Sequence, residues 1–549
     1  MDLEGSTHAD ATNTKSSMGE INSQSISVLE REIARGRGDT IKLKRARNSL
    51  LNISVFVPPE ILGYIFNLVV IHSLERMGSA LHPLELDVQF VGLKKGWYNF
   101  LLVCHHWLEV AYATPGLWTF WGNSLYAWEE RYMRAGSAPV DLALHADIEF
   151  PEILSVPLRN NLLHRTAQDT IREIHLDRKN LHPLTDILFT PGGEGTRERS
   201  IESIILGSGA LPDLSNFFAR SRLPKLRRLH LEGVLETPVW KHLTSQTTRL
   251  TCLSLRLIKT SPRPSTSQLF SILLSNPNLR QLSLGDSAFP DDIDESKIRV
   301  PLRQLEEMCL FGAFYPIFSM LQRLELTKAL NYSNLFFPDD PFPEGFSRTL
   351  GPYMQNHLRR DTRFQGDLSV TYWSTCIHIY PVSEGIPVRD GIPGFHIEFE
   401  PFPNLPIFDL MAFAPLDHVV HFETQHSLVT EKELFLAMPN IEVLTIRYAS
   451  LSNGFLQPYP NGPYANAKLL PSLRTLSLKD VGPVSDWRPL VDYLVHQTSN
   501  GQMISLELED LSVIPPEVIE EVEGFVNVKL ANEVAEMDWV PGGEEVEDV

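Results

Sequence analysis

One short pattern, apolar-x-x-apolar-x-apolar, recurs along the chain and restricts its fold more than any other feature. It reads IREIHL (171–176), IESIIL (201–206), LRRLHL (226–231), LTCLSL (250–255), LRQLSL (279–284) and LEEMCL (305–310), then IEVLTI (441–446), LRTLSL (473–478) and MISLEL (503–508). Starts fall 30, 25, 24, 29 and 26 residues apart in the first group, and 32 and 30 in the second. Offsets of that size predict a stack of similar supersecondary units, each too small to bury its own apolar face. The alternation within each match predicts a short strand whose alternate residues enter a shared core. A helix or loop then carries the chain back.

The residues between the core positions are expected on the opposite, concave face of such strands. From the early repeats these are Arg228, His230, Glu232, Cys252, Ser254, Arg256, Gln281 and Ser283, and from the late ones Arg447, Lys479, Glu507 and Glu509. The candidate ligand face comprises Arg228, His230, Glu232, Arg256, Gln281, Arg447, Lys479 and Glu507. LQRLEL (321–326) begins only 16 residues after the previous match, too soon for a repeat, and reads as helix. Between about 330 and 437 the pattern fades. Alternation persists in LSVTYWSTCIHIY (368–380), FHIEFE (395–400) and HVVHFET (418–424), which read as degenerate repeats with loops around Pro338–Pro343 and Glu384–Gly394.

Upstream, residues 1–24 are rich in Ser, Thr and Asn and read as disordered. Residues 25–52 carry Ile26, Leu29, Ile33, Leu43, Leu50 and Leu51 between charges, an amphipathic or coiled-coil-like segment. In 55–73, Pro58 and Pro59 stand at the start of an apolar run, where a missing N–H costs nothing. Ile61, Leu62, Ile65, Phe66 and Val69 then form one helical stripe. Residues 74–95 read as loop. Phe100, Val103, Cys104, Trp107, Val110 and Ala111 mark a second helix, which Thr114-Pro115-Gly116 ends.

The segment 57–121 resembles an F-box. Val57-Pro58-Pro59-Glu60-Ile61-Leu62, followed by Ile65-Phe66, is similar to the first half of that motif, and Val103-Cys104 with Trp107 to the second. TPGLW (114–118) is similar to the phrase that follows in F-box proteins of the mushroom lineage. The link of about residues 74–96 is longer than in a compact F-box and reads as a surface loop. The resemblance implies an α-β solenoid architecture: a helical F-box, then an irregular leucine-rich-repeat-like horseshoe. Its parts would be an F-box at 53–122, a repeat body at 140–512 and an acidic tail at 513–549. The resemblance further implies a substrate adaptor of an SCF-type ubiquitin ligase. A SKP-type subunit would dock on Val57, Pro58, Ile61, Leu62, Ile65, Phe66, Val103, Cys104 and Trp107, with a cullin bound through it. The repeat body would hold an unknown protein substrate. A scaffold that binds the SKP-type subunit alone is the alternative.

Composition limits the rivals. The net charge is −20, and Pro515–Val549 holds eleven acidic residues against one lysine. Nucleic acid rewards a basic face, so no nucleic-acid partner is expected. The four cysteines, Cys104, Cys252, Cys309 and Cys376, form no CxxC pair, and no run of about 20 apolar residues offers a membrane span. A polar start unlike a signal peptide completes the expectation of a cytoplasmic or nuclear protein with no membrane partner. The chain has no GxxxxGK[ST], GxGxxG or GxSxG. Asp291, Asp292, Asp294 and Glu295 lack the Gly and terminal Glu of a calcium loop. No catalytic residue, metal site or cofactor is expected.

Overall fold

A computed structural model describes residues 57–78, 103–121, 128–144, 164–165, 169–176, 188–189, 197–207, 211, 214–235, 239–246, 249–257, 260–290, 298–326, 330–337, 346–360, 362–373, 376–383, 386–387, 394–399, 414–424, 432–447, 470–479, 487–499, 501–509 and 514–530, with isolated positions 28, 31, 42 and 160. The expectations for 1–24 and for nearly all of 25–52 lie outside the described residues, as does most of the 74–96 link. Among the described residues the fold is α/β with mostly parallel sheet pairing and no closed barrel. The chain divides into two compact units, 1–226 and 227–549.

In the first unit, α1 (Pro59–Gly78), α2 (His105–Tyr112) and a 3-10 turn at Pro115–Trp118 precede β1 (Phe120–Trp121). Next come α3 (Trp128–Ala135), β2 (Val140–Leu144) and β3 (Ile171–Leu176). After β4 (Arg197–Glu198) and β5 (Ser203–Leu206) follow α4 (Leu214–Arg220) and β6 (Ser221–Arg222). The order β1-β2-β3-β5 is parallel throughout, and β4 pairs with β6. Asp141 on β2 takes a two-pronged ion pair from Arg172 on β3, at 2.5 and 2.9 Å.

The second unit is a longer ladder. Its first strands are β7 (Arg228–Gly233), β8 (Cys252–Leu257), β9 (Gln281–Asp286), β10 (Val300–Pro301), β11 (Glu307–Phe311), β12 (Leu324–Glu325) and β13 (Tyr332–Phe337). Between them run α5 (Trp240–Gln246), α6 (Thr266–Ser275) and α7 (Phe314–Arg323). The order β7-β8-β9-β11-β13 is parallel and follows the sequence. α6 starts on a reciprocal cap, Ser265 with Gln268, which satisfies two backbone N–H groups at once. Asn276 ends it. Its amide oxygen accepts from Leu250 N at 2.8 Å and its amide nitrogen donates to Ile272 O at 2.7 Å, tying the helix end to the preceding strand's approach. LQRLEL is helical only through Arg323, because Leu324–Glu325 leave the helix as β12 and pair with β10, so the expected helix over 321–326 ends halfway.

After α8 (Phe346–Arg360) the order inverts. β14 (Leu368–Trp373) and β15 (Cys376–Ser383) form an antiparallel hairpin, and β16 (Ile386–Pro387) closes on the end of β15. β17 (Gly394–Phe399) runs antiparallel to β15 and parallel to β13. β18 (Val419–Thr424) then returns to β14 in parallel. The spatial sequence is therefore β13-β17-β15-β14-β18, with one reversed strand in an otherwise parallel ladder. The faded repeats of 330–437 are strands, as expected, but β13 carries no recognisable repeat and β15 runs backwards.

The remainder is regular again: α9 (Lys432–Ala437), β19 (Val443–Arg447), β20 (Thr475–Lys479), α10 (Arg488–Ser499), β21 (Ser505–Leu508), α11 (Pro516–Glu523) and β22 (Asn527–Leu530). β18 to β22 pair in parallel, one after another. Val522 and Val526 are buried beside this last pairing.

The repeat consensus maps onto the core. Leu226, Leu229 and Leu231, Leu250, Leu253 and Leu255, and Leu279, Leu282 and Leu284 are all buried. Each such side chain contributes about 1.5–3 kcal/mol by leaving water. MISLEL is the exception: Met503 is 89% exposed, and Ile504 occupies the core instead.

Candidate protein-interaction surfaces

The first surface is α1. The Pro58 carbonyl accepts from Ile61 N and Leu62 N, both at 3.0 Å, and so opens the helix as the two prolines predict. The inner face holds Leu62 and Phe66, each 2% exposed. Phe66 packs on Trp107 with ring centroids 5.0 Å apart. Leu62 and Phe66, two of the expected docking residues, therefore face the interior of this small helical unit. Trp107, Cys104 and Val57 are half-buried, and Pro58 is exposed.

The opposite face is also apolar. Ile61, Tyr64, Ile65, Leu68 and Val69 are 43–61% exposed, and Val103 is exposed as well. Those five positions sit at i, i+3, i+4, i+7 and i+8, one continuous stripe. A helix with two apolar faces has one more than its own subunit buries, and such a patch marks an interaction site. Tyr64 and Leu68 escaped the motif reading because the motif names only the first apolar pairs. Their spacing from Ile61 was the available signal.

The inner face closes on TPGLW. A Cβ at Gly63 would lie 2.7 Å from Thr114 Oγ1. Thr114 cannot swing aside easily, because its hydroxyl donates to Val110 O at 2.7 Å. Trp118 Nε1 donates to Ala111 O at 2.8 Å and fixes the turn from the other side. Gly63→Ala is expected to cost about 1–3 kcal/mol by overpacking. It should raise the rate of limited proteolysis within 57–121, and adding Thr114→Ala, which removes the clashing oxygen, should restore most of the protection.

The second surface is the polar face of the second unit's sheet, the face predicted from the repeats. Here several candidate residues already have partners within the sheet. His230 Nε2 lies 3.6 Å from Glu232, and the hydrogen bond from His230 holds the Glu232 carboxyl below its usual range, with Arg256 assisting. Gln281 Nε2 donates to Glu307 Oε2 at 3.0 Å. Arg447 approaches Glu423 at 2.7 Å, with the Glu423 side chain only 7% exposed. Arg447 is thus engaged in an internal ion pair, and His230 is 8% exposed and recessed. Arg228 is exposed, while Glu232, Arg256, Lys479 and Glu507 are half-buried. Burial pushes the Cys252 thiol up to about 12, so it is no nucleophile near neutral pH.

Glu307 is raised by burial. Its folded value lies above the unfolded one, so its stabilising contribution is complete below the unfolded carboxylate range and is lost as pH rises through the folded value. Glu307→Gln keeps a hydrogen-bonding oxygen for Gln281 and removes the buried charge. It is expected to raise the thermal midpoint at pH 7 and leave it unchanged near pH 3.5, as differential scanning fluorimetry at both values would show.

Three features of this face were not foreseen. His378 and His396 face each other across β15 and β17 with ring centroids 4.5 Å apart, and Tyr380 Oη lies 3.0 Å from His378 Nδ1. Phe311 and Phe336 stack at 4.7 Å with planes 3° apart. Glu423, Thr371 and His378 occupy one rung across β18, β14 and β15. Only Phe311 had a sequence signal, one step past LEEMCL.

Among the described residues no group of three or more His, Cys, Asp or Glu is placed to hold a metal ion, and no helix is long and apolar enough to cross a membrane. No family model matches the chain, and no curated protein matches its sequence.

Proposed function

We propose that the chain is a substrate adaptor: an F-box-like N-terminal unit that docks a SKP-type subunit of an SCF-type ubiquitin ligase, and a leucine-rich-repeat-like body that presents a protein substrate. The observation that carries this reading is the second apolar face of α1. Ile61, Tyr64, Ile65, Leu68 and Val69 are 43–61% exposed on the same helix whose Leu62 and Phe66 already fill the local core. A face of that kind gains by burial against a partner, and interfaces of standard size bury about 1,600 Å² in total with a few central side chains dominating. The motif residues Val57–Phe66 and Val103–Trp107 supply the choice of partner.

The test is co-expression of the full chain with a SKP-type subunit, followed by size-exclusion chromatography. A stoichiometric complex is expected at micromolar concentration or below. Separate elution of the two proteins at that concentration removes the adaptor reading.

A further inference from the structure

One rung of the polar face reads Glu232–Arg256–Gly285–Phe311–Phe336–Glu398 across β7, β8, β9, β11, β13 and β17. The alternation of each strand puts these residues opposite the leucine core. Phe311 and Phe336 are stacked face to face, and Phe311 is 36% exposed. Gly285, the next position along the rung, carries no side chain. A Cβ there would meet nothing nearer than Arg256 Cα at 3.5 Å and Phe311 Cδ1 at 3.7 Å, both ordinary contacts. The fold therefore accepts a side chain at Gly285, and glycine instead leaves a notch.

The notch is walled by the outer face of Phe311 on one side and by Arg256 on the other. Neighbouring strands lie about 4.8 Å apart, so these walls stand roughly 10 Å apart at the backbone. An aromatic ring, with its carbon contacts of about 3.5–4 Å on each side, fits between them. A ring seated there extends the Phe336–Phe311 stack and receives the Arg256 guanidinium on its far face, a cation–π contact. Arg256 makes one hydrogen bond to a side chain among the described residues, a long 3.5 Å contact from Nε to Ser283 Oγ, and its charge also acts on the neighbouring Glu232. Its terminal N–H groups suit a carboxylate beside the ring.

The geometry points to the Gly285 notch as a docking site for a protein segment that presents an aromatic side chain next to an Asp or Glu. This inference deepens the adaptor reading and rests on it for the name substrate. The charge of Arg256 selects the acidic neighbour, and the paired Phe rings select a planar anchor. The chain's net charge of −20 disfavours a nucleic-acid strand, with a phosphate at every nucleotide, as the source of the planar group.

The experiment is selection of a random dodecapeptide display library on the immobilised full-length chain. Peptides rich in Trp, Tyr or Phe flanked by Asp or Glu are expected. Synthetic copies should bind Gly285→Leu at least about tenfold more weakly, since that side chain fills the notch. Arg256→Gln should abolish the preference for the acidic neighbour while keeping the aromatic one, and Phe311→Leu, at an exposed site, should weaken binding without unfolding. No enriched consensus, a consensus lacking aromatics, or an aromatic consensus bound equally by Gly285→Leu overturns the proposal. So does an oligouridine probe that binds the chain and is lost on Gly285→Leu. Gly285→Leu should still co-elute with the SKP-type subunit. Failure of that co-elution in the unsubstituted chain, with the aromatic consensus intact, removes the adaptor reading and leaves the notch standing.

Discussion

A chain carrying Ile65→Asp and Leu68→Asp is expected to lose its SKP-type subunit while keeping its own fold. Both side chains are 43–46% exposed on α1, so charge there costs the free protein little. In a desolvated interface each replaces an apolar contact with an unpaired carboxylate. Central interface positions cost about 2 kcal/mol or more each, so the pair should weaken binding by on the order of a thousandfold. Calorimetric titration measures the loss, and an unchanged melting profile separates it from unfolding. The contrasting substitution is Leu62→Asp, at a position 2% exposed, which should unfold the helical unit itself. Unchanged affinity in the Ile65/Leu68 double variant would place the docking face elsewhere.

The second large effect is expected inside the sheet of the second unit. Arg447→Met leaves the Glu423 carboxylate, 7% exposed at its side chain, without its 2.7 Å cation. Removing one partner of a buried pair costs about 3–5 kcal/mol, and the 22% exposure of Arg447 places this case near 3. Changing both residues together, Arg447→Met with Glu423→Leu, removes the orphaned charge and should recover most of that loss. A double-substitution cycle in urea reads the coupling directly. If the double variant is as unstable as the sum of the two single ones, the pair is not the cause.

The contrast between the two surfaces shows what the sequence carries. The core was legible because a strand declares its buried side by alternation, and Leu253, Leu255, Leu282 and Leu284 needed nothing more. The α1 helix was legible in place but not in facing. Its apolar residues wrap most of the circumference, so Leu62 and Ile61 look equivalent until Trp107 and Thr114 select the inner side. The polar face was legible in membership but not in chemistry. Whether Arg447 is free or spent depends on Glu423, 24 residues earlier and one strand away, and strand pairing is not written in either residue. The reversal at β15 was hidden for a related reason: antiparallel and parallel strands share the same alternation, and only the order of pairing tells them apart.

That reversal governs how the second unit can be assembled and how it can change. Two residues separate β14 from β15, so their pairing closes a minimal loop, whereas each parallel pair elsewhere must first close one of some 18 residues or more. Local closure of this kind is quick, while distant pairing waits on chain entropy. The hairpin is therefore a natural seed from which the ladder extends in both directions, through β17 to β13 and through β14 to β18. It is also a keystone. A parallel slice at either end could be gained or lost with its neighbours still matched, but deletion of β14–β15 would strip β17 and β18 of one partner each, and the two runs of repeats would part.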